Sequence, residues 1–195
     1  MIARRACFRV TTTAVLVAVG FLLTACTSPS SDPSPPRTSA PSSPKSTPTP
    51  TPTVDPAVAE AEAAILEAYR GYWAAKVVSF ADPAVEQDPN LARYSDDTAL
   101  TDAQATIATL RSNGINIPGE PTLTPVVSDI QLGESSTAKI TDCVDVSKWQ
   151  PIVAATGDSA AVPDQPLRVP TDSTAFVIDG HWSIRTSVAY RDTTC

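Results

Sequence analysis

The chain has 195 residues, 19 of them proline, and a formal net charge of −7 at neutral pH. Residues 55–195 alone carry 9 Lys and Arg against 20 Asp and Glu, close to −11. So acidic a stretch is poorly suited to neutralising nucleic-acid phosphates or to docking directly on an anionic membrane surface, which excludes nucleic acid as a partner class.

Residues 1–25 are basic and then apolar. Arg4, Arg5 and Arg9 precede the run "VTTTAVLVAVGFLL" at 10–23. Its 14 residues fall short of the roughly 20 that a bilayer span requires. A positive start, a short apolar run and small residues after it describe an export signal. Leu23, Thr24, Ala25 and Cys26 resemble the lipobox of bacterial lipoproteins. That resemblance implies that residues 1–25 are removed as a signal peptide and that Cys26 is lipidated. It places the protein on the extracytoplasmic face of the cell membrane, with the membrane as a partner through Cys26. Each buried methylene is worth ~0.8 kcal/mol, and more than one acyl chain makes a stable anchor. The alternatives are an ordinary secretory signal with a coincidental cysteine, and an uncleaved anchor. "ARRACF" holds paired arginines, but Cys7 stands where a twin-arginine signal usually has a large apolar residue, so the general secretory route is expected.

Residues 26–54 follow as a lipidated cysteine and a tether. Of the 28 residues from Thr27 to Val54, 9 are Pro and 14 are Ser or Thr. Without apolar periodicity no core forms, so disorder is expected. In polyproline II geometry the upper reach is roughly 85 Å. The tether is read as a spacer, and its "STPTPTPT" repeat as a candidate site for sugars.

Residues 55–195 have a mixed composition and the size of one domain with one core. Asp55 and Pro56 open a predicted helix, "DPAVAEAEAAILEAYRGYWAAKVVSF", with Asp55 as N-cap. Ile65, Tyr69, Tyr72, Trp73 and Phe80 recur at helical spacing on one apolar, aromatic face. Pro83 ends the helix. A short helical turn is expected at "PNLARY", and a third helix over "DTALTDAQATIATLRSNG". Leu100, Ala103, Ile107 and Leu110 share its face, Asp96 and Asp97 are placed to cap it, and Gly114 is its C-terminal glycine.

Four β-rich segments come next: "PVVSDIQLG", "STAKITDCVD", "STAFVID" and "HWSIRTSVAY". Asp179-Gly180 is a good two-residue hairpin turn between the last two. Helices first and strands afterwards predict an α+β fold, with N-terminal helices packed on a four-stranded antiparallel meander.

A long aromatic helix, shorter helices and a curved meander resemble the cone-shaped nuclear transport factor 2-like fold. "LARYSDDTALTDAQATIATLRSNGINIPGEP", "AKITDCVDVSKW" and "DGHWSIRTSVAYRDTTC" are similar to a set of actinobacterial cell-surface lipoproteins and secreted proteins with this expected fold. The resemblance implies a fold and a location, and the set has no agreed activity.

With Cys7 removed and Cys26 lipidated, Cys143 and Cys195 remain in an oxidising compartment and are expected to pair. In an up-down-up meander both fall at the same end of the sheet. One strand between them would keep them about 9.6 Å apart, beyond the ~7 Å limit between Cα atoms. The bridge therefore requires the chain to bend inward past the strand ends. Two free thiols are the alternative.

No catalytic set, metal cluster or cofactor motif emerges. His181, the one histidine, sits beside Trp182 just after a turn and reads as an exposed turn residue. There is no glycine-rich phosphate loop and no serine in a nucleophile elbow. Asp142 and Asp145 flank Cys143; Asp142 faces either solvent, as a solvated strand-end acid, or the interior of the cone. The aromatic residues are the richest feature. Tyr69, Tyr72, Trp73, Tyr94, Asp142 and Trp182 are the candidate cavity-lining residues, although aromatic residues at helical spacing more often form core. In ketosteroid-isomerase relatives of the cone fold, a tyrosine and acids in the cavity transfer protons, and Tyr69 or Tyr72 with Asp142 mimics this loosely. The expected function is a non-catalytic, surface-anchored domain that binds an envelope protein or a small apolar ligand. A small cavity enzyme of isomerase or hydrolase type and a docking subunit of an envelope complex are the alternatives.

Overall fold

The computed structural model describes residues 55–195. The export signal, the lipobox with Cys26 and the tether lie outside the described residues. Among those that are described, no helix is long and apolar enough to cross a membrane.

Helix α1 spans Pro56–Ala81. The Asp55 carboxylate accepts from the Ala57 N–H at 2.9 Å, and Pro56 occupies a first-turn position that needs no N–H donor. The helix stops two residues before Pro83, whose ring would clash with a further turn. Ile65, Tyr69, Tyr72, Trp73 and Phe80 are all buried, on the face that the spacing indicates. Helix α2 (Asn90–Tyr94) is the expected short turn. It lies against α1 because residue 71 is glycine: a Cβ there would stand 2.6 Å from the Tyr94 ring. Helix α3 (Asp97–Asn113) is capped by Asp96 and ends at Gly114, whose φ of 63° is left-handed. Ala99, Ala103 and Ile107 are buried, and Leu100 and Leu110 pack beside them half-exposed.

The strands are β1 (Ile115–Asn116), β2 (Val126–Gln131), β3 (Thr137–Asp145), β4 (Ile152–Val153), β5 (Arg168–Ile178) and β6 (His181–Ala189). β1 and β4 pair as a small separate ribbon. The other four form an antiparallel sheet in the order β2-β3-β5-β6, so the α+β expectation of helices followed by a four-stranded meander holds. The sheet is open, with β2 and β6 as its edges. Asp179 and Gly180 turn the last hairpin with φ of 50° and 78°, the two positive values that a type I′ turn requires.

β5 begins five residues before the expected "STAFVID" and includes Pro170. A proline belongs in a strand only where its missing N–H is not needed. The Pro170 carbonyl accepts from Tyr190 at 2.9 Å, so its backbone edge faces beyond the end of β6 and no ladder bond is lost.

Period-two alternation divides the sheet into two faces. Ala138, Ile140, Asp142 and Val144 of β3 are buried toward the helices, as are Val169, Thr171, Ser173 and Ala175 of β5. Cys143 therefore faces outward. It is bonded to Cys195, with S–S 2.09 Å and Cα–Cα 5.9 Å. The tail makes the required inward bend: after β6 it turns at Tyr190–Thr193, where the Thr193 N–H donates to the Tyr190 carbonyl at 3.3 Å. The end of the chain thus crosses β5 near Pro170 and reaches Cys143.

Candidate functional site

The second half of α1 brings Tyr72, Trp73, Lys76 and Phe80 over one end of the inner sheet face. Beneath them is a cavity of about 240 Å³. Its sheet side is formed by Val144, Val169 and Thr171, and its helical side by α1 with Ala103 of α3. Trp149, from the long β3–β5 connection, closes one wall. Its ring stacks on Phe80 at 5.7 Å and 8° and meets Trp73 edge-on at 5.7 Å. Gly119 makes room for this segment: a Cβ there would collide with the Lys148 carbonyl. The exposed rim holds Asp102, Thr106 and Arg191.

Lys76 is the polar centre of this wall. Its Nζ lies 3.8 Å from the Trp73 ring centroid, 5.0 Å from Tyr72 and 5.8 Å from Phe80. Burial, with the like charge of Arg191 added, pushes the amine down to about 7. The three ring faces attract a cation and oppose that push. Both forms of the amine are therefore within reach at neutral pH. Burial pushes the Tyr72 phenol up to about 12, so it remains a donor, and it gives its proton to the Ala99 carbonyl at 3.4 Å. The Trp149 Nε1–H is buried without an acceptor.

The candidate residues separate into three places. Tyr72 and Trp73 line the cavity. Tyr94 and Trp182 line a different, open cleft of about 500 Å³, together with Glu67, Arg93 and His181. Tyr69 and Asp142 meet each other, and neither is in the cavity wall. The Tyr69 hydroxyl donates to Asp142 Oδ2 at 3.1 Å. Asp142 Oδ1 accepts from the Thr124 N–H at 2.8 Å and from its hydroxyl at 3.2 Å. Asp142 is thus buried inward, at 6% exposure, and the reading of a solvated strand-end acid is corrected. The reason is that three donors satisfy the carboxyl group, which makes its burial tolerable. Burial first, and then the Asp142 charge, raise the Tyr69 pKa far above the ordinary phenol value. Tyr69 is fixed as a donor that ties α1 to β3 and, through Asp142, to the segment leading into β2.

Sequence reasoning missed Lys76, Trp149, Arg191 and Thr124. Only Lys76 left a usable signal, as a charged residue three and four positions after Trp73 and Tyr72 on an otherwise aromatic stripe. Trp149 sits in a connection without periodicity. Among the described residues, no group of three or more His, Cys, Asp or Glu side chains is placed to hold a metal ion.

No protein-family model matches this chain, and no curated protein matches it. Among solved structures it is similar to the intermembrane space region of the chloroplast protein ARC6, at 14% identity and a TM-score of 0.36, over 71% of this chain and 98% of that one. A score this low carries no argument about fold or function.

Proposed function

We propose that the protein is an extracytoplasmic lipoprotein, anchored through Cys26, whose folded domain binds a small, largely apolar ligand in the cavity under α1. The observation that carries the binding reading is the cavity of about 240 Å³ with its aromatic wall of Tyr72, Trp73, Phe80 and Trp149. Ligand sites are concave and mostly apolar, with a few polar groups that fix orientation. Drug-sized ligands occupy pockets from ~300 Å³ upward, so this volume suits one or two fused rings and excludes a peptide or lipid chain. The lipobox "LTAC" with its basic and apolar leader supports the anchor. The long aromatic α1 lying over the sheet, with a hollow between them, supports kinship with the nuclear transport factor 2-like cone.

The cavity enzyme is less well supported. Its Tyr–Asp pair, Tyr69 and Asp142, is satisfied within the core and lines no part of the cavity.

Titration calorimetry with 2-naphthylmethanol tests the binding reading. Saturable binding to the native chain is expected, and Ala103→Leu, which grows a side chain from the cavity wall, should abolish it. Binding that survives Ala103→Leu places the ligand elsewhere. For the anchor, Cys26→Ser should move the protein from the membrane fraction to the soluble fraction without unfolding its domain; a variant that stays membrane-bound refutes lipidation at Cys26.

A further inference from the structure

Two cations approach the same cavity in a domain that is otherwise strongly acidic. Lys76 reaches in from α1, and Arg191 lies at the rim, on the tail after β6. The one carboxylate at that rim, Asp102, pairs with neither. The salt bridges among the described residues are Lys139 with Asp129 and Arg185 with Asp97. Lys76 has ring faces around it but no counter-anion. Like charges brought together without a counter-ion repel. One anion in the cavity relieves that repulsion.

We propose that the cavity selects a small flat carboxylate, with its ring system against Trp73, Phe80 and Trp149 and its carboxyl group held by Lys76 and Arg191. This rests on the binding reading above and specifies its ligand class. Lys76 supplies a point charge inside the aromatic wall. Arg191 supplies a planar fork at the rim that suits a carboxylate. Gln150, Gln165 and Ser187, also in the wall, supply neutral polar edges and no competing charge.

The pH behaviour follows from the same groups. The titratable or charged side chains of the wall are Tyr72 and Lys76 of α1, Asp102 of α3 and Arg191 of the tail. A bound anion favours the ammonium form of Lys76, so binding draws in protons wherever that amine is partly neutral in the free protein. Affinity for the acid should then fall as pH rises from 7 to 9.

The test is calorimetry on the native, disulfide-bonded chain with three probes of one ring system: 2-naphthoate, 2-naphthylmethanol and 2-naphthylmethylammonium. The acid should bind at least tenfold more tightly than the alcohol at pH 7, the amine should bind more weakly than either, and the acid preference should shrink by pH 9. Lys76→Met should lower the acid-to-alcohol ratio, and Lys76→Met combined with Arg191→Met should bring it close to one. Arg93→Met, in the separate cleft, should leave that ratio intact. Equal affinities for acid and alcohol overturn the carboxylate inference while leaving an apolar binding site. If none of the three probes binds, the binding reading falls with it. An acid preference that survives Lys76→Met combined with Arg191→Met also overturns the inference, because the anion is then held elsewhere. Circular dichroism of each variant separates a lost contact from a lost fold.

Discussion

Replacing Tyr69 with phenylalanine removes one oxygen and almost no volume. The ring remains packed in the core, edge-on to Trp73 at 6.2 Å. What disappears is the 3.1 Å donation to Asp142 Oδ2. Asp142 keeps both Thr124 donors on Oδ1, but its other oxygen is left buried and unpaired. A hydrogen bond to a charged group contributes ~1.5–3 kcal/mol, and the retained donors favour the middle of that range, about 2 kcal/mol. Unfolding entropy is ~2.1 cal/mol/K per residue. For a folded domain of about 140 residues that is about 0.3 kcal/mol/K, so Tm should fall by ~7 °C. Thermal and urea unfolding of the native and Tyr69→Phe chains measure this directly. A double-mutant cycle with Asp142→Asn should show a coupling of at least ~1 kcal/mol. A Tm change under about 2 °C, or additive effects in the cycle, would refute the claim that this bond ties α1 to β3.

Three further outcomes are expected. Lys76 is half-buried, and desolvation pushes its folded pKa down to about 7 against an ordinary 10.5, so below pH 7 the folded state bears the cost of a partly desolvated ammonium. That burden fades as pH rises through the window and is absent above 10.5, so stability rises with pH. The stability advantage of Lys76→Met over the native chain should therefore be greatest at or below pH 7 and should vanish by pH 10.5. A constant advantage in urea titrations across that range refutes the desolvated amine. Gly71→Ala, which on helix propensity alone would stabilise α1 by up to ~1 kcal/mol, should instead destabilise the protein by ~1–3 kcal/mol, because its Cβ meets the Tyr94 ring at 2.6 Å; a raised Tm contradicts the close packing of α1 on α2. Reducing Cys143–Cys195 should add two hydrogens to the intact mass and cost roughly 4 kcal/mol in the chain-entropy view, and an unchanged urea midpoint after reduction would show that the tail is held by other contacts.

The helices were legible because their signals are local. Asp55-Pro56, Pro83 and Gly114 mark boundaries by their own backbone chemistry. The spacing from Ile65 to Phe80 marks a face without reference to any partner. The strands were legible where alternation or composition is regular; the first five residues of β5, Arg168–Asp172, lie outside the expected segment, and Pro170 among them fits a strand only because its backbone edge meets Tyr190, past the end of β6. The site was less legible. Tyr69 and Asp142 lie 73 positions apart, and no rule within a single segment brings them together or chooses the face of β3 that Asp142 takes. Trp149 and Arg191 lie in irregular chain and enter the cavity wall only through tertiary placement. The aromatic residues were identified as a group, yet the structure divides them among core, cavity and cleft.

The disulfide fastens the tail to the outer face of the sheet. Cys143 points outward, whereas its neighbour Asp142 is buried inward, and the tail that ends at Cys195 carries Arg191 to the cavity rim four residues earlier. The bond therefore adds, from the outer surface, to the Tyr190–Pro170 hydrogen bond in holding a tail that carries a charge to the cavity rim. In a chain exported as proposed, the newly made polypeptide meets a reducing interior before it meets an oxidising exterior. On the proposal of a carboxylate site, the last covalent link of the tail beside that site would then form only after export.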